Sequence, residues 1–203
     1  MANDDTRLTL GEKNLAVLEV ERPAEKASLT AWKGCVALTR AVHAHEAGRA
    51  DEFAAQYRRG MELFAEAERL GPANGSVKAI MGGTYAALSD RLPEAERSAG
   101  WEAAYQNYKG LWAMQGPTAA QLPLHDRGEL LAGVAQSAER TLRGVEAAEF
   151  ARRIVETIPG TPYATAAKRW LDTPELRGRS HLGCQTCHEP GRLAAATARL
   201  RNQ

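Results

Sequence analysis

Residues 130–162 read LLAGVAQSAERTLRGVEAAEFARRIVETIPGTP. Leu130, Leu131, Val134 and Ala138 recur at helical spacing, and so do Ala147, Ala148, Ala151, Ile154, Val155 and Ile158. Gly144 falls between the two stripes and is expected in the turn, while Pro159-Gly160 stops the second stripe. The stretch from about Asp126 to Ile158 therefore predicts a helical hairpin with one apolar face on each helix. Such a hairpin cannot cover its own apolar faces and needs neighbours of the same kind.

The same punctuation recurs upstream. Gly71-Pro72, Gly116-Pro117 and Pro159-Gly160 place prolines 45 and 42 residues apart, a spacing suited to two-helix units. The first hairpin is expected over roughly 23–70. Leu29, Trp32, Val36, Leu38 and Val42 form the inward side of one helix, and Phe53, Tyr57, Met61, Phe64 and Ala67 that of the other. Between them, Gly48 is expected as a left-handed C-cap and Asp51 as an N-cap. The second hairpin is expected over roughly 74–115. Val77, Ile80, Met81, Tyr85 and Leu88 lie on its first helix, and Trp101, Tyr105, Tyr108, Leu111 and Trp112 on its second, which Pro93 opens. A capping helix from about Pro162 to Leu171 completes the array.

Composition agrees with this reading. The 203 residues are 44% hydrophobic and 25% charged, so the chain can bury a core. It holds 38 Ala against 8 Val and 3 Ile, which favours helices over strands. A net charge of +1 gives no general attraction to nucleic acid or anionic membrane. No apolar run approaches the roughly 18 residues of a membrane span.

The 130–162 stretch resembles a tetratricopeptide repeat. Ala135 and Ala147 fall where the two helices of such a repeat approach closely, and Pro159 falls where the repeat ends. The segment AEAERLGP ending at Pro72 looks like another repeat end. The resemblance spans roughly residues 25–171, although the first two units have longer helices than the usual repeat. It implies an all-α array of antiparallel hairpins, a TPR-like solenoid of about three hairpins plus a capping helix. It also implies a surface that docks proteins or peptides. The expected organisation is an N-terminal extension (1–24), a TPR-like helical domain (25–171) and a C-terminal segment (172–203).

The C-terminal segment carries the chemistry. Cys184-Gln185-Thr186-Cys187-His188 matches C-x-x-C-H, the attachment motif of c-type haem. Two thiols three residues apart meet the two vinyl groups on one porphyrin edge. The adjoining imidazole can then turn beneath the ring to bind iron. This composition would produce the motif by chance in roughly one chain in a thousand. Cys184 and Cys187 are thus the expected thioether links to one covalent haem c, and His188 the proximal iron ligand. Between Ala166 and Gln203, Lys168, Arg169, Arg177, Arg179, Arg192, Arg199 and Arg201 outnumber three acidic residues. A locally basic arm suits the two haem propionates.

The tail resembles cytochromes c at this motif and its immediate surroundings. It departs from them downstream, because no Met follows Met114. Candidates for the sixth ligand are His43, His45, His125 and His181, with Met61, Met81 and Met114 behind them. His125, in the boundary loop LPLHDRG, ranks first. Zinc is the main rival cofactor. His181, Cys184, Cys187 and His188 are four potential ligands, but Cys187 and His188 are neighbours whose side chains point apart. Cys35 is a conceivable distant fourth ligand. A redox Cys-x-x-Cys lacks its usual βαβ setting here.

Residues 1–20 contain no apolar stretch of the signal-peptide kind. Covalent haem attachment takes place outside the cytoplasm in bacteria. A haem-loaded form is therefore expected in the periplasm or outside the cell, with a leader that is absent here; the zinc reading allows a cytoplasmic location. The leading expectation is an electron carrier whose helical array docks a redox partner or further subunits. The alternative is a non-catalytic TPR-like interaction module whose Cys/His cluster binds zinc. A peroxidase-like activity ranks last, because nothing in the sequence supplies a distal acid–base group.

Overall fold

The structure, a computed structural model, describes residues 5–178 together with Leu182 and Gly183. Among the described residues the chain forms eight α-helices and no strand: α1 (Asp5–Glu21), α2 (Lys26–Glu46), α3 (Ala50–Leu70), α4 (Gly75–Leu88), α5 (Glu94–Gln115), α6 (Leu124–Arg140), α7 (Gly144–Thr157) and α8 (Pro162–Asp172). The protein is an all-α array of helical hairpins. The helices α2, α4 and α6 begin at 26, 75 and 124, in even steps of 49 residues. Cys184, Cys187, His188 and His181 lie outside the described residues. Contacts gather the chain into two compact units, one spanning Asn3–Gly110 and the other running from Leu111 onward.

In the first unit α2 and α3 pack antiparallel through glycines. A Cβ on Gly34 would stand 2.5 Å from the Phe64 ring, and one on Gly60 2.8 Å from Leu38. Gly34 and Gly60 therefore let the helices approach until Phe64 and Leu38 fill the seam. The helices α4 and α5 form the next hairpin. Gly82 faces Tyr108 and Asn107, and Gly110 faces Lys78. Leu38, Val42, Phe64, Val77, Met81, Tyr85, Leu88, Leu92 and Trp101 make one buried cluster. Each large member contributes about 1.5–3 kcal/mol of burial. Asn74 starts α4 by accepting hydrogen bonds from the Ser76 and Val77 amides through its side chain.

The expected extension over 1–24 is largely a helix. Glu12 of α1 accepts from Arg40 of α2 at 2.6 and 2.9 Å, and Glu19 pairs with Lys33. These pairs run in opposite directions along the two helices, so α1 lies antiparallel on α2. Trp32, expected inward, is 48% exposed. Its position on α2 faces away from α3, where Ala31, Gly34, Cys35 and Leu38 occupy the buried stripe. Met61 is also partly exposed, although its sulfur accepts a hydrogen bond from the Tyr85 hydroxyl at 3.1 Å.

In the second unit α6 and α7 form a hairpin, and α8 returns alongside α6 in the same direction. Glu129 meets Tyr163 near the start of the two helices, and Glu139 meets Trp170 near their end. Leu130, Leu131, Val134, Ala138, Ala147, Ala151, Ile154 and Ile158 are buried, as their spacing predicts, and so are Ala135 and Ala147 at the helix seam. Thr161 caps α8 by accepting from the Ala164 amide at 3.1 Å.

The α2–α3 and α6–α7 turns share one hydrogen-bond pattern. Ala47 N–H donates to His43, Gly48 to His45 and Arg49 to Ala44; Thr141 donates to Ser137, Leu142 to Glu139 and Arg143 to Ala138. Gly48 takes the expected left-handed backbone at φ 71°. Two expected turn positions are corrected here. Gly144 is the first residue of α7, and the left-handed position belongs to Leu142 at φ 64°. Asp51 lies within the first turn of α3, where Arg49 precedes the helix. There its carboxylate faces the positive end of the helix rather than capping it.

Candidate functional site

The last described residues before the Cys-x-x-Cys-His motif are Leu182 and Gly183, and both are anchored on α6. Leu182 is completely buried. Its amide donates to Gln136 Oε1 at 2.8 Å, and the Gly183 amide reaches the same oxygen at 3.4 Å. A methyl group placed on Gly183 would stand 3.8 Å from Glu129 Oε2 and 3.9 Å from Ala132 Cβ. The chain just upstream is tied down as well. Glu139 Oε1 accepts from Trp170 Nε1 at 2.7 Å and from the Gly178 amide at 2.5 Å. Gly178 has φ 78°, a conformation that glycine adopts freely.

Glu129, Ala132, Gln136 and Glu139 recur every three or four residues, so they form one face of α6. This face receives α8 and the segment that leads to Cys184. Cys184 follows Gly183 directly, so the motif's root is seated on α6.

His125 stands on the second residue of α6 and is exposed. Its Nδ1 lies 3.0 Å from the Tyr163 hydroxyl, which donates to Glu129 Oε1 at 2.5 Å. Tyr163 is buried against Gly128, where any Cβ would clash with its ring. A glycine at 128 is thus what admits the phenol between His125 and Glu129.

The other ligand candidates are spread out. His43 is half-buried in the last turn of α2, and His45 is exposed with its ring 5.7 Å from that of Phe53. Met81 is buried in the first unit's core, and Met114 is partly exposed. His43, His45, Met61 and Met81 belong to the first unit. His125 and Met114 share the second unit with the root of the motif. Cys35 is buried on α2. Burial pushes its thiol pKa up, against the opposing effect of contacts with Thr84 and Thr39, and so disfavours the thiolate that metals require. Among the described residues no three His, Cys, Asp or Glu side chains gather as a metal site.

Cys184, Cys187 and His188, the residues expected to hold a haem, lie outside the described residues. A cavity of about 200 Å³ near Trp112, Arg127, Leu131 and Arg153 is smaller than the roughly 300–1,000 Å³ of pockets that enclose drug-sized ligands. It is not a porphyrin enclosure. Trp112 there packs edge-on to Phe150 with ring centroids 5.0 Å apart. Trp101 and Trp170 are buried, each donating its indole N–H to a carboxylate, Asp90 and Glu139 respectively.

Gln136, Glu139, Glu129 and Tyr163 escape the apolar-stripe reading of this region. For Glu129, Gln136 and Glu139 the sequence signal is polar residues at helical spacing within an otherwise small and apolar helix. No family model, curated protein or solved structure matches the chain. Among the described residues no helix is long and apolar enough to cross a membrane.

Proposed function

We propose that this chain is a monohaem, c-type cytochrome-like protein that presents one covalent haem on a helical-hairpin scaffold and serves electron transfer and docking. The observation that carries this reading is Cys184-Gln185-Thr186-Cys187-His188. Thioether bonds form when the thiols of Cys184 and Cys187 add across the two vinyl groups, so each sulfur gains a carbon and each vinyl gains a hydrogen. His188 supplies the proximal nitrogen. When bound, the haem provides a one-electron Fe(III)/Fe(II) couple.

The scaffold's part is positional. Gln136 and the buried Leu182 hold the segment entering the motif, which supports a cofactor site built against α6 rather than on a free tail. The helical array is the surface proposed to dock a redox partner or further subunits, in the manner of TPR-like hairpins. The haem-loaded protein belongs in the periplasm or outside the cell.

The test is the absorption spectrum, with a pyridine haemochrome assay, of protein exported through haem-c maturation machinery. The expected result is a c-type spectrum that stays with the denatured chain and is lost in Cys184→Ala/Cys187→Ala. A colourless protein that copurifies with zinc, and loses it in that double variant, overturns the haem reading in favour of a zinc-binding interaction module.

A further inference from the structure

We propose that the second unit binds a small organic carboxylate in the cavity beside Trp112, with Arg127 of α6 as its anchor and Arg153 of α7 at its mouth. The ligand class is a single carboxylate on a compact apolar body. Neither the site nor its ligand depends on the haem reading above.

The first observation is the charge on the cavity wall. Arg127 and Arg153 both line this space of about 200 Å³, and no acidic side chain shares the lining with them. Both guanidinium groups keep their charge at any ordinary pH. Arg153 is exposed and already gives one N–H to Glu149 at 2.8 Å, so its charge is partly answered. Arg127 is half-buried, and its Nε–H meets no hydrogen-bond acceptor among the described residues. A cation sheltered from water with a donor left over is an unfavourable arrangement that an anion relieves. Nothing among the described residues holds the guanidinium by its Nε edge, so that edge can turn to present Nε–H and one Nη–H as a fork. This fork matches the two oxygens of a carboxylate.

The second observation is the rest of the wall, which is apolar and rigid. The Trp112 ring packs edge-on to Phe150 with centroids 5.0 Å apart. A Cβ on Gly116 would stand 2.9 Å from that ring, so only glycine leaves the indole in place. Leu131 and Ala119 are buried beside it. The Arg153 guanidinium lies 5.5 Å from the centroids of both Trp112 and Phe150, which braces it over the aromatic pair. Thr157 spends its proton on the Arg153 carbonyl at 2.7 Å. The guanidinium groups are therefore the charged donors. A phosphate would leave several oxygens facing carbon, whereas a carboxylate turns its hydrocarbon part to the indole.

The third observation is size and access. A cavity of about 150 Å³ is enough to hold benzene, so about 200 Å³ admits one ring or a short branched chain together with a carboxylate. Ala120, Arg153 and Thr157 are exposed, so the cavity opens at the surface of the unit.

The experiment is titration of the full chain with benzoate by isothermal calorimetry, with the Trp112 indole N–H chemical shift locating the bound ligand. Benzamide, which keeps the ring and shape without the charge, and inorganic phosphate are the comparison probes. Benzoate is expected to bind once per chain in roughly the millimolar range open to so small a ligand, and to shift the Trp112 signal. Benzamide and phosphate should each bind at least roughly 10-fold more weakly, the loss expected when a hydrogen bond to a charged group is missing. Arg127→Gln should lose at least as much, and Arg153→Gln less, because Glu149 already answers that charge.

Benzoate that binds no tighter than benzamide, or leaves the Trp112 signal unmoved, overturns the proposal. So does benzoate binding that is unchanged in Arg127→Gln. A tripeptide ending in phenylalanine tests the other source of such a group, a chain terminus. Tighter binding of that peptide than of benzoate overturns the assignment to a small molecule. The comparison of benzoate with benzamide is made on the wild type, so it stands even where a variant fails to fold.

Discussion

Replacing Gln136 by Met removes the acceptor that holds the root of the motif and keeps a side chain of similar length. In the native protein the Leu182 and Gly183 amides share Gln136 Oε1 at 2.8 and 3.4 Å. Leu182 is fully buried, so in Gln136→Met its amide is left inside the protein without a partner. Leaving a buried N–H unsatisfied costs about 1–3 kcal/mol. Burial of the Leu182 side chain, worth roughly 1.5–3 kcal/mol, still opposes release. The segment is then expected to detach locally while α6, α7 and α8 hold together. Detachment should become roughly 5- to 150-fold more frequent. Hydrogen exchange at the Leu182 and Gly183 amides measures this directly, because exchange from a locally opened segment reports the opening free energy. Protection at 182 and 183 should fall by that factor, with far smaller changes along α6 and α7. Unchanged protection at Leu182 would refute the anchoring role of Gln136. Equal loss of protection throughout the second unit would refute local detachment.

Three further outcomes follow from the structure. Leu142 holds a left-handed backbone at φ 64° and is 95% exposed. Leu142→Gly should therefore stabilise the protein by about 0.5–1 kcal/mol, the left-handed strain relieved less the entropy glycine adds to the unfolded chain. A melting temperature raised by ~1–4 °C checks it, and Gly48→Ala in the matching turn should lower it. Tyr57 is pushed up to about 12, first by burial and then by its hydrogen bond to Glu96, and Tyr85 is raised in the same direction. The unfolded chain releases these protons near pH 10. Their contribution is therefore full below pH 10 and is lost as pH rises towards 12; urea midpoints between pH 9 and 11 should fall, and less so in Tyr57→Phe. Cys35, buried and with its thiol pKa raised by burial, should resist thiol reagents in the folded protein and react once the chain is denatured in urea.

The hairpins are legible in the sequence because alanine-rich stripes at helical spacing and Gly-Pro punctuation act locally. The four expected helices from α2 to α5, and the pair α6 and α7, each fall close to their observed bounds. What was less legible depends on neighbours. Leu142 occupies a left-handed position because three hydrogen bonds close the turn around it, and nothing in its chemistry announces this. Trp32 looks like core until Gly34 and Gly60 set which side of α2 meets α3. The N-terminal helix has no clear apolar stripe and is fastened to α2 by ion pairs instead. The site divides in the same way. The proposed set of Cys184, Cys187 and His188 rests on local spacing in the sequence alone. Gln136 and Leu182 are 46 residues apart, and Glu129 and Tyr163 are 34 apart, so only the folded chain brings each pair together.

The central claim is that two of the three cysteines are consumed in bonds to haem. Counting reactive thiols on the denatured, reduced protein, after export through haem-c maturation machinery, tests it most directly. The account predicts one thiol, Cys35, on a chain that retains its colour. Three thiols on a colourless chain would contradict it.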